Sequence, residues 1–395
     1  MNSRERVARA MRHQLPDRVP VMCQLSLGHY FLNAGLPPYQ IWFTSAGFAE
    51  ALLRLRERYR FDGILINIPG RDPNWLHDVS SVEEAEDGTW ITWKTGLRVL
   101  VPPDDNAQLE PDRPDAAPRP DFLTFDPDTD MDRLDEWPRY TWGIYHTPVL
   151  PGKAPGLLID PPAYFTATID LVRQAVGDSV SVHGEVFSPF THLMELFGYQ
   201  EALVGLALDP SRAEAILARF VEASVAWGSA QAARGVDAVL ISSAFAGGGF
   251  ISPKMYAQFV VPYERAVIDR LHAAHPGLPV YTHTCGRLGD RLELLLDTHT
   301  DGIDTLDPPP LGDTELADAK ARIGQHIFIK GNMNSVALLA DTKEQAMERV
   351  RRTLEDGKPG GGYILSTACS VAPRVQPWKL EMLVDLAEEY GRYGA

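Results

Sequence analysis

The run Val280-Tyr281-Thr282-His283-Thr284-Cys285-Gly286 reads as a short strand that ends in a turn. On a strand, residues two apart project from the same face, so the His283 imidazole and the Cys285 sulfur can converge on one point. A third soft ligand must come from elsewhere in the fold. Cys369, in Leu365-Ser366-Thr367-Ala368-Cys369-Ser370, sits just after the β-like run Tyr363-Ile364-Leu365, a corresponding place at another strand's end. His, Cys and Cys with one open position is a ligand set used by catalytic zinc. The same spacing also suits two buried cysteines acting as small hydrophobes and a histidine satisfied by a backbone carbonyl.

Outward from this strand the chain alternates strand and helix signals. Asp17-Arg18-Val19-Pro20-Val21-Met22 is a turn into a first buried strand ending near Cys23, and Gly63-Ile64-Leu65-Ile66-Asn67 is a second. Further strands are expected at Val180–His183, Ala238–Ile241, Val280, Gly302–Thr305, Ile327–Lys330 and Tyr363, with helical runs between them. Eight strands, each followed by helix, predict a parallel sheet closed as a (β/α)8 TIM barrel, with chemistry at the C-terminal strand ends. His283 and Cys285 then belong to the fifth strand and Cys369 to the eighth, at one mouth. An open doubly wound sheet is the alternative, but no glycine-rich fingerprint joins a strand to a helix. The stretch from about 71 to 129 breaks the rhythm. It carries a hairpin, Thr89–Trp93 against Leu97–Val101, and the Pro/Asp-rich Pro102 to Pro127, so it is expected as an insertion within a single domain spanning 1–395.

With 395 residues, 45% hydrophobic and 23% charged, the chain can bury a full α/β core. Its net charge of −16 argues against a nucleic-acid or anionic-membrane surface. Three cysteines are too few and too odd for a disulfide framework, which points to a reducing, cytoplasmic setting where thiolates stay free. No apolar segment suggests a signal peptide or membrane span, and the spacing of Val7, Ala10 and Met11 predicts a plain leading helix. Asp297-Thr298-His299-Thr300-Asp301-Gly302 matches the D-x-H-x-x-G string of corrinoid-binding domains, but the remaining chain is needed for the last three barrel strands, so the match is set aside.

Arg4-Glu5-Arg6-Val7, Pro16-Asp17-Arg18-Val19-Pro20-Val21, Gly184-Glu185-Val186-Phe187-Ser188-Pro189, His283-Thr284-Cys285-Gly286 and Lys330-Gly331-Asn332 together resemble the uroporphyrinogen decarboxylase superfamily over nearly the whole chain. H-x-C-G with a late cysteine is similar to its cobalamin-dependent methyltransferase branch, of the methylcobamide:coenzyme M type. That resemblance implies zinc on His283, Cys285 and Cys369, and a methyl group moved between a corrinoid, on a separate protein or as free methylcobalamin, and a zinc-activated small thiol. Two departures from the decarboxylases matter. The segment matching their substrate-binding arginine motif, Cys23-Gln24-Leu25-Ser26-Leu27-Gly28-His29-Tyr30, contains no arginine, and Asn67 stands where a catalytic aspartate is expected. A neutral amide cannot steady a protonated pyrrole intermediate.

Glu185 and Asn67 are therefore the residues expected to take part in catalysis, and Gln24, Ser242 and Asn332 those expected against the cofactor. Glu185 reads as a displaceable fourth ligand, as a proton acceptor for the thiol, or as a carboxylate serving the next helix N-terminus. His29 and His183 read more readily as core or surface residues, Asp304 and Asp307 as loop caps, and Gly247-Gly248-Gly249 as a weak phosphate-loop signal. Two other readings remain open: a lyase for a small carboxylic acid, and a non-catalytic zinc-binding partner of a corrinoid protein.

Overall fold

The computed structural model describes residues 1–109, 119–136 and 161–394. Eleven strands are found among these residues: β1 (Gly63–Ile66), β2 (Val79–Ala85), β3 (Gly88–Trp93), β4 (Arg98–Val101), β5 (Gln108–Leu109), β6 (Ser181–Phe187), β7 (Ala238–Ser242), β8 (Val280–Thr284), β9 (Gly302–Thr305), β10 (Phe328–Met333) and β11 (Tyr363–Thr367). Seven form a parallel sheet in the order β1-β6-β7-β8-β9-β10-β11. Its strands are buried on both faces and are continuously apolar at their starts, as a helix-covered parallel sheet requires.

The first expected strand is not a strand of this sheet. Residues 18–25 make isolated bridges, Val21 to Leu365 and Leu25 to Val371 in parallel and Arg18 to Arg392 antiparallel. Pro20 has no N–H to give to a ladder, which limits the pairing. The segment still bonds both edges of the sheet. Met22 N–H donates to Leu365 O at 3.0 Å and Leu365 N–H to Pro20 O at 2.9 Å, while Asp62 N–H, one residue before β1, donates to Val21 O at 2.8 Å. The sheet thus curls into a TIM-barrel-like α/β fold.

Asp62 fixes this closure from within. Its buried carboxylate accepts from Arg6 Nη1 at 2.6 Å, Arg18 Nη1 at 2.7 Å, Val21 N–H at 2.8 Å and Ser3 Oγ at 2.8 Å. The leading helix, Ser3–Met11, starts with a capping box between Asn2 and Glu5. As its spacing predicts, it buries Val7, Ala10 and Met11, which pack with Met22, Leu65, Leu240, Tyr281, Phe328 and Ile364. Those side chains come from the first halves of the strands, so the helix seals the barrel's N-terminal end and leaves the C-terminal end as the mouth.

The expected hairpin is present, with Thr89 opposite Val101 and Thr92 opposite Arg98. It is the middle pair of a four-stranded antiparallel sheet, β2-β3-β4-β5, whose outer strands carry no strong alternation and were not expected. Residues 110–118 of the Pro/Asp-rich loop lie outside the described residues. The long helical run expected between β6 and β7 is divided into Pro189–Phe197, Tyr199–Leu208 and Pro210–Ala232. Gly198 and Pro210 mark the breaks, through a positive φ and a missing N–H.

Candidate metal centre

Along β8, Tyr281 packs into the barrel floor, His283 stands two residues further on the same face, and Cys285 follows in the turn. Gly286 makes that turn with φ +80°, which a side chain would strain, and its N–H donates to Asp307 Oδ2 at 2.7 Å. The loop after β7 presses on the same place, since a Cβ at Gly247 would lie 2.1 Å from the Cys285 carbonyl oxygen. Cys369 arrives from β11, where Ala368 N–H donates to Met333 O at 2.7 Å.

His283 Nε2 lies 3.3 Å from Cys285 Sγ, and Cys285 Sγ lies 3.8 Å from Cys369 Sγ. All three ligand atoms fall within 4.8 Å of one another. In a tetrahedral zinc site, with bonds of about 2.3 Å to sulfur and 2.0 Å to nitrogen, ligand atoms stand roughly 3.5–3.8 Å apart. The residues present therefore fit that ion, in spacing and in donor chemistry.

Strand register places Phe187, Ser242, His283, Asp304 and Lys330 in one row across β6 to β10. Asp304 is 2% exposed; its Oδ2 accepts from His283 Nδ1 at 3.4 Å and from Lys330 Nζ at 2.8 Å. A carboxylate on Nδ1 sets the tautomer that leaves Nε2 free to ligate. Burial pushes Asp304 up, but Lys330 and then His283 outweigh it and hold the carboxyl below its usual range.

The same contacts set the protons of the cluster. Burial pulls the His283 imidazolium down, yet Asp304 and Cys369 raise its pKa to about 10. The hydrogen bond from Cys285, and after it the one from His283, holds Cys369 well below an ordinary thiol against the effect of burial. Cys285 is pushed well above, first by that bond to Cys369 and then by burial. These contacts favour the protonated forms of His283 and Cys285 and the ionised form of Cys369 in the metal-free cluster.

Glu185 and Asn67 come together in one pocket, which both line with Phe187, His192, Ser224 and Trp227. Glu185 is not among the clustered ligand atoms. Burial raises its carboxyl to about 7, against His283 and the Ser242 hydroxyl beside it, and its Oε2 is buried without a hydrogen-bond partner. Gln24 Oε1 is likewise buried and unpartnered. Asn332 is not brought to the cluster: its Nδ2 donates to Leu306 O at 2.9 Å and Thr314 O at 3.2 Å, and the residue borders a separate outer cavity with Pro308 and Glu315.

His29 and His183 are core residues, bonded to Tyr59 at 2.8 Å and Tyr281 at 2.9 Å. Asp307 caps the Gly286 turn, as a loop acid would. The expectation for Asp304 is corrected: it holds His283 and not a loop. Sequence reasoning also passed over Lys330. The available signal was an acid and a base at alternate positions of two otherwise apolar neighbouring strands, Gly302-Ile303-Asp304 and Phe328-Ile329-Lys330.

Fold and site together define a TIM-barrel-like α/β protein that gathers an imidazole and two thiols at the carboxyl ends of its strands. The chain belongs to the uroporphyrinogen decarboxylase (URO-D) family, whose sequence model matches residues 157–390. The motifs at residues 4–21 lie outside that match. It is 28% identical over 238 residues to the uroporphyrinogen decarboxylase of Thioalkalivibrio sulfidiphilus and 27% identical over 237 residues to that of Methylococcus capsulatus. Each match takes in 58% of this chain, and the chain spans 65% of each relative's length. Among solved structures, a methyltransferase from Methanosarcina mazei superposes over 99% of both chains, with TM-score 0.69 and 17% identity. A B12-independent methionine synthase from Shewanella sp. W3-18-1 covers 94% of this chain and 97% of its own, with TM-score 0.53 and 12% identity. At such identities the likeness is one of fold. Among the described residues, no helix is long and apolar enough to cross a membrane.

Proposed function

We propose that the protein is a zinc-dependent methyltransferase of the cobalamin-dependent branch of this family, moving a methyl group between an externally supplied corrinoid and a small thiol. The observation that carries the reading is the convergence of His283, Cys285 and Cys369 to within 4.8 Å of one another at the barrel mouth. Zinc held there supplies acidity, keeping a coordinated thiol deprotonated yet nucleophilic. The chain's own residues set the conditions: two thiolates and an imidazole neutralise the ion, Asp304 orients the imidazole, and Lys330 balances Asp304. The structural likeness to a methyltransferase supports this reading. The relatives named uroporphyrinogen decarboxylase favour a lyase as the second reading. Against it stand Asn67 in place of an acid and the arginine-free Cys23–Tyr30 segment.

The test is X-ray absorption at the zinc edge, together with loss of methylcobalamin absorbance when a thiol is added. Two sulfur neighbours should become three, at about 2.3 Å, on adding an accepted thiol. A lyase would exchange oxygen for oxygen when given its acid, and a closed site would not change with any thiol; either result overturns the proposal.

Zinc uptake should also release protons. Because the cluster's contacts favour protonated His283 and Cys285 but ionised Cys369 in the metal-free chain, binding near neutral pH should expel about two protons. Affinity then falls roughly a hundredfold per pH unit as pH drops, down to the point where Cys369 also protonates. Calorimetry in buffers of different ionisation enthalpy measures the count, and a release of none or three would contradict the assigned protonation.

A further inference from the structure

The two cysteines of the cluster face one another as well as a metal. Cys285 Sγ lies 3.8 Å from Cys369 Sγ, although the residues are 84 apart in the chain. The backbone beside each is tied down. Gly286 N–H, directly after Cys285, donates to Asp307 Oδ2 at 2.7 Å. On either side of Cys369, Ala368 N–H donates to Met333 O at 2.7 Å and Val371 N–H to Gln24 O at 2.8 Å. A disulfide needs its sulfurs about 2.05 Å apart, so each has to move by less than about 1 Å, a displacement within the reach of side-chain rotation. Both residues are partly exposed, whereas the third cysteine, Cys23, is buried at 6% exposure.

Two thiols held face to face and open to solvent are the arrangement in which oxidation of one is resolved by the other. We infer that Cys285 and Cys369 form an oxidation site, joined as a reversible disulfide when hydrogen peroxide meets the metal-free cluster, and that this bond and bound zinc exclude one another. One sulfur breaks the peroxide O–O bond and becomes a sulfenic acid, with release of water. The other sulfur then displaces the hydroxyl of that sulfenic acid as a second water. Two thiols and one peroxide thus give one disulfide and two waters, the sulfurs losing two electrons to the peroxide oxygens. A dithiol reverses the bond by exchange. The disulfide consumes both thiolate ligands and leaves His283 alone, while zinc on both sulfurs occupies the lone pairs that attack peroxide. This exclusion rests on the zinc reading of the cluster; the disulfide rests on the sulfur geometry alone.

Protein stripped of metal and treated with an equimolar amount of hydrogen peroxide should fall from three free thiols to one and lose about 2 Da, with a Cys285–Cys369 cross-link in its digest. It should then take up no zinc in chelator competition until dithiothreitol is added. Zinc-loaded protein should oxidise at least about tenfold more slowly. Cys369→Ser should instead gain oxygen on Cys285, trapped by dimedone, and Cys23→Ser should behave as the unmodified chain. Oxygen uptake by the unmodified chain without a cross-link, or a cross-link that includes Cys23 or a second chain, would overturn the inference, and zinc binding by the reduced protein would then leave the metal reading standing. A Cys285–Cys369 cross-link in protein that binds no zinc when reduced would overturn the metal reading and the exclusion, but not the oxidation site. Equal oxidation rates with and without bound zinc would overturn the exclusion.

Discussion

Cys285→Ala and Cys369→Ala proteins should each carry less than about a tenth of the zinc found in the unmodified chain, and should demethylate methylcobalamin at background rate. Each removes one of three ligands whose atoms already stand at coordination distance, 3.8 Å between the sulfurs and 3.3 Å from Cys285 to His283. No other His, Cys, Asp or Glu joins that cluster among the described residues. Losing one of the two thiolates should weaken binding by several kcal/mol, more than about 10³-fold. The fold should survive, because both cysteines sit in the mouth and are only partly buried, whereas the floor is packed by the leading helix and the strand starts. Elemental analysis together with thermal unfolding separates the two quantities. Full zinc in both variants would dismiss the ligand assignment.

Asp304→Ala should be the most destabilising single change at the site. Lys330 is 0% exposed and Asp304, 2% exposed, is the carboxylate bonded to its ammonium, at 2.8 Å. Removing one member of a buried pair leaves an uncompensated charge, at a cost of about 3–5 kcal/mol. The same change takes the acceptor from His283 Nδ1, so metal affinity should fall a further 10-fold to 100-fold, roughly. Adding Lys330→Met should recover most of the stability, because the orphaned cation goes, but not the affinity, because His283 remains unoriented. Denaturant unfolding of the four proteins of this cycle, paired with chelator competition for zinc, measures both terms. Equal loss of stability in the single and double variants would show that the pair does not act through charge.

What local sequence can determine here is limited by the reach of backbone periodicity. His283 and Cys285 share a face of a strand because they are two residues apart, and Val7, Ala10 and Met11 share a face of a helix because of its turn; both facts hold before any tertiary contact forms. The alternation of apolar runs and helices is equally local, and it sufficed for a barrel-like parallel sheet with a mouth at the strand ends. The pairings across strands are not local. Asp304 meets His283 over 21 residues and Lys330 over 26, through registers set by helix lengths and by closure at Asp62. One residue of slip would turn Asp304 out of the barrel and leave a loop acid, as the sequence suggested. Asn332 shows the converse, a strand-end residue that the fold bonds to Leu306 and Thr314 in place of the cluster. Cys369 lay between the two cases, placed at a strand end by pattern but brought within 3.8 Å of Cys285 by the curl of the sheet alone.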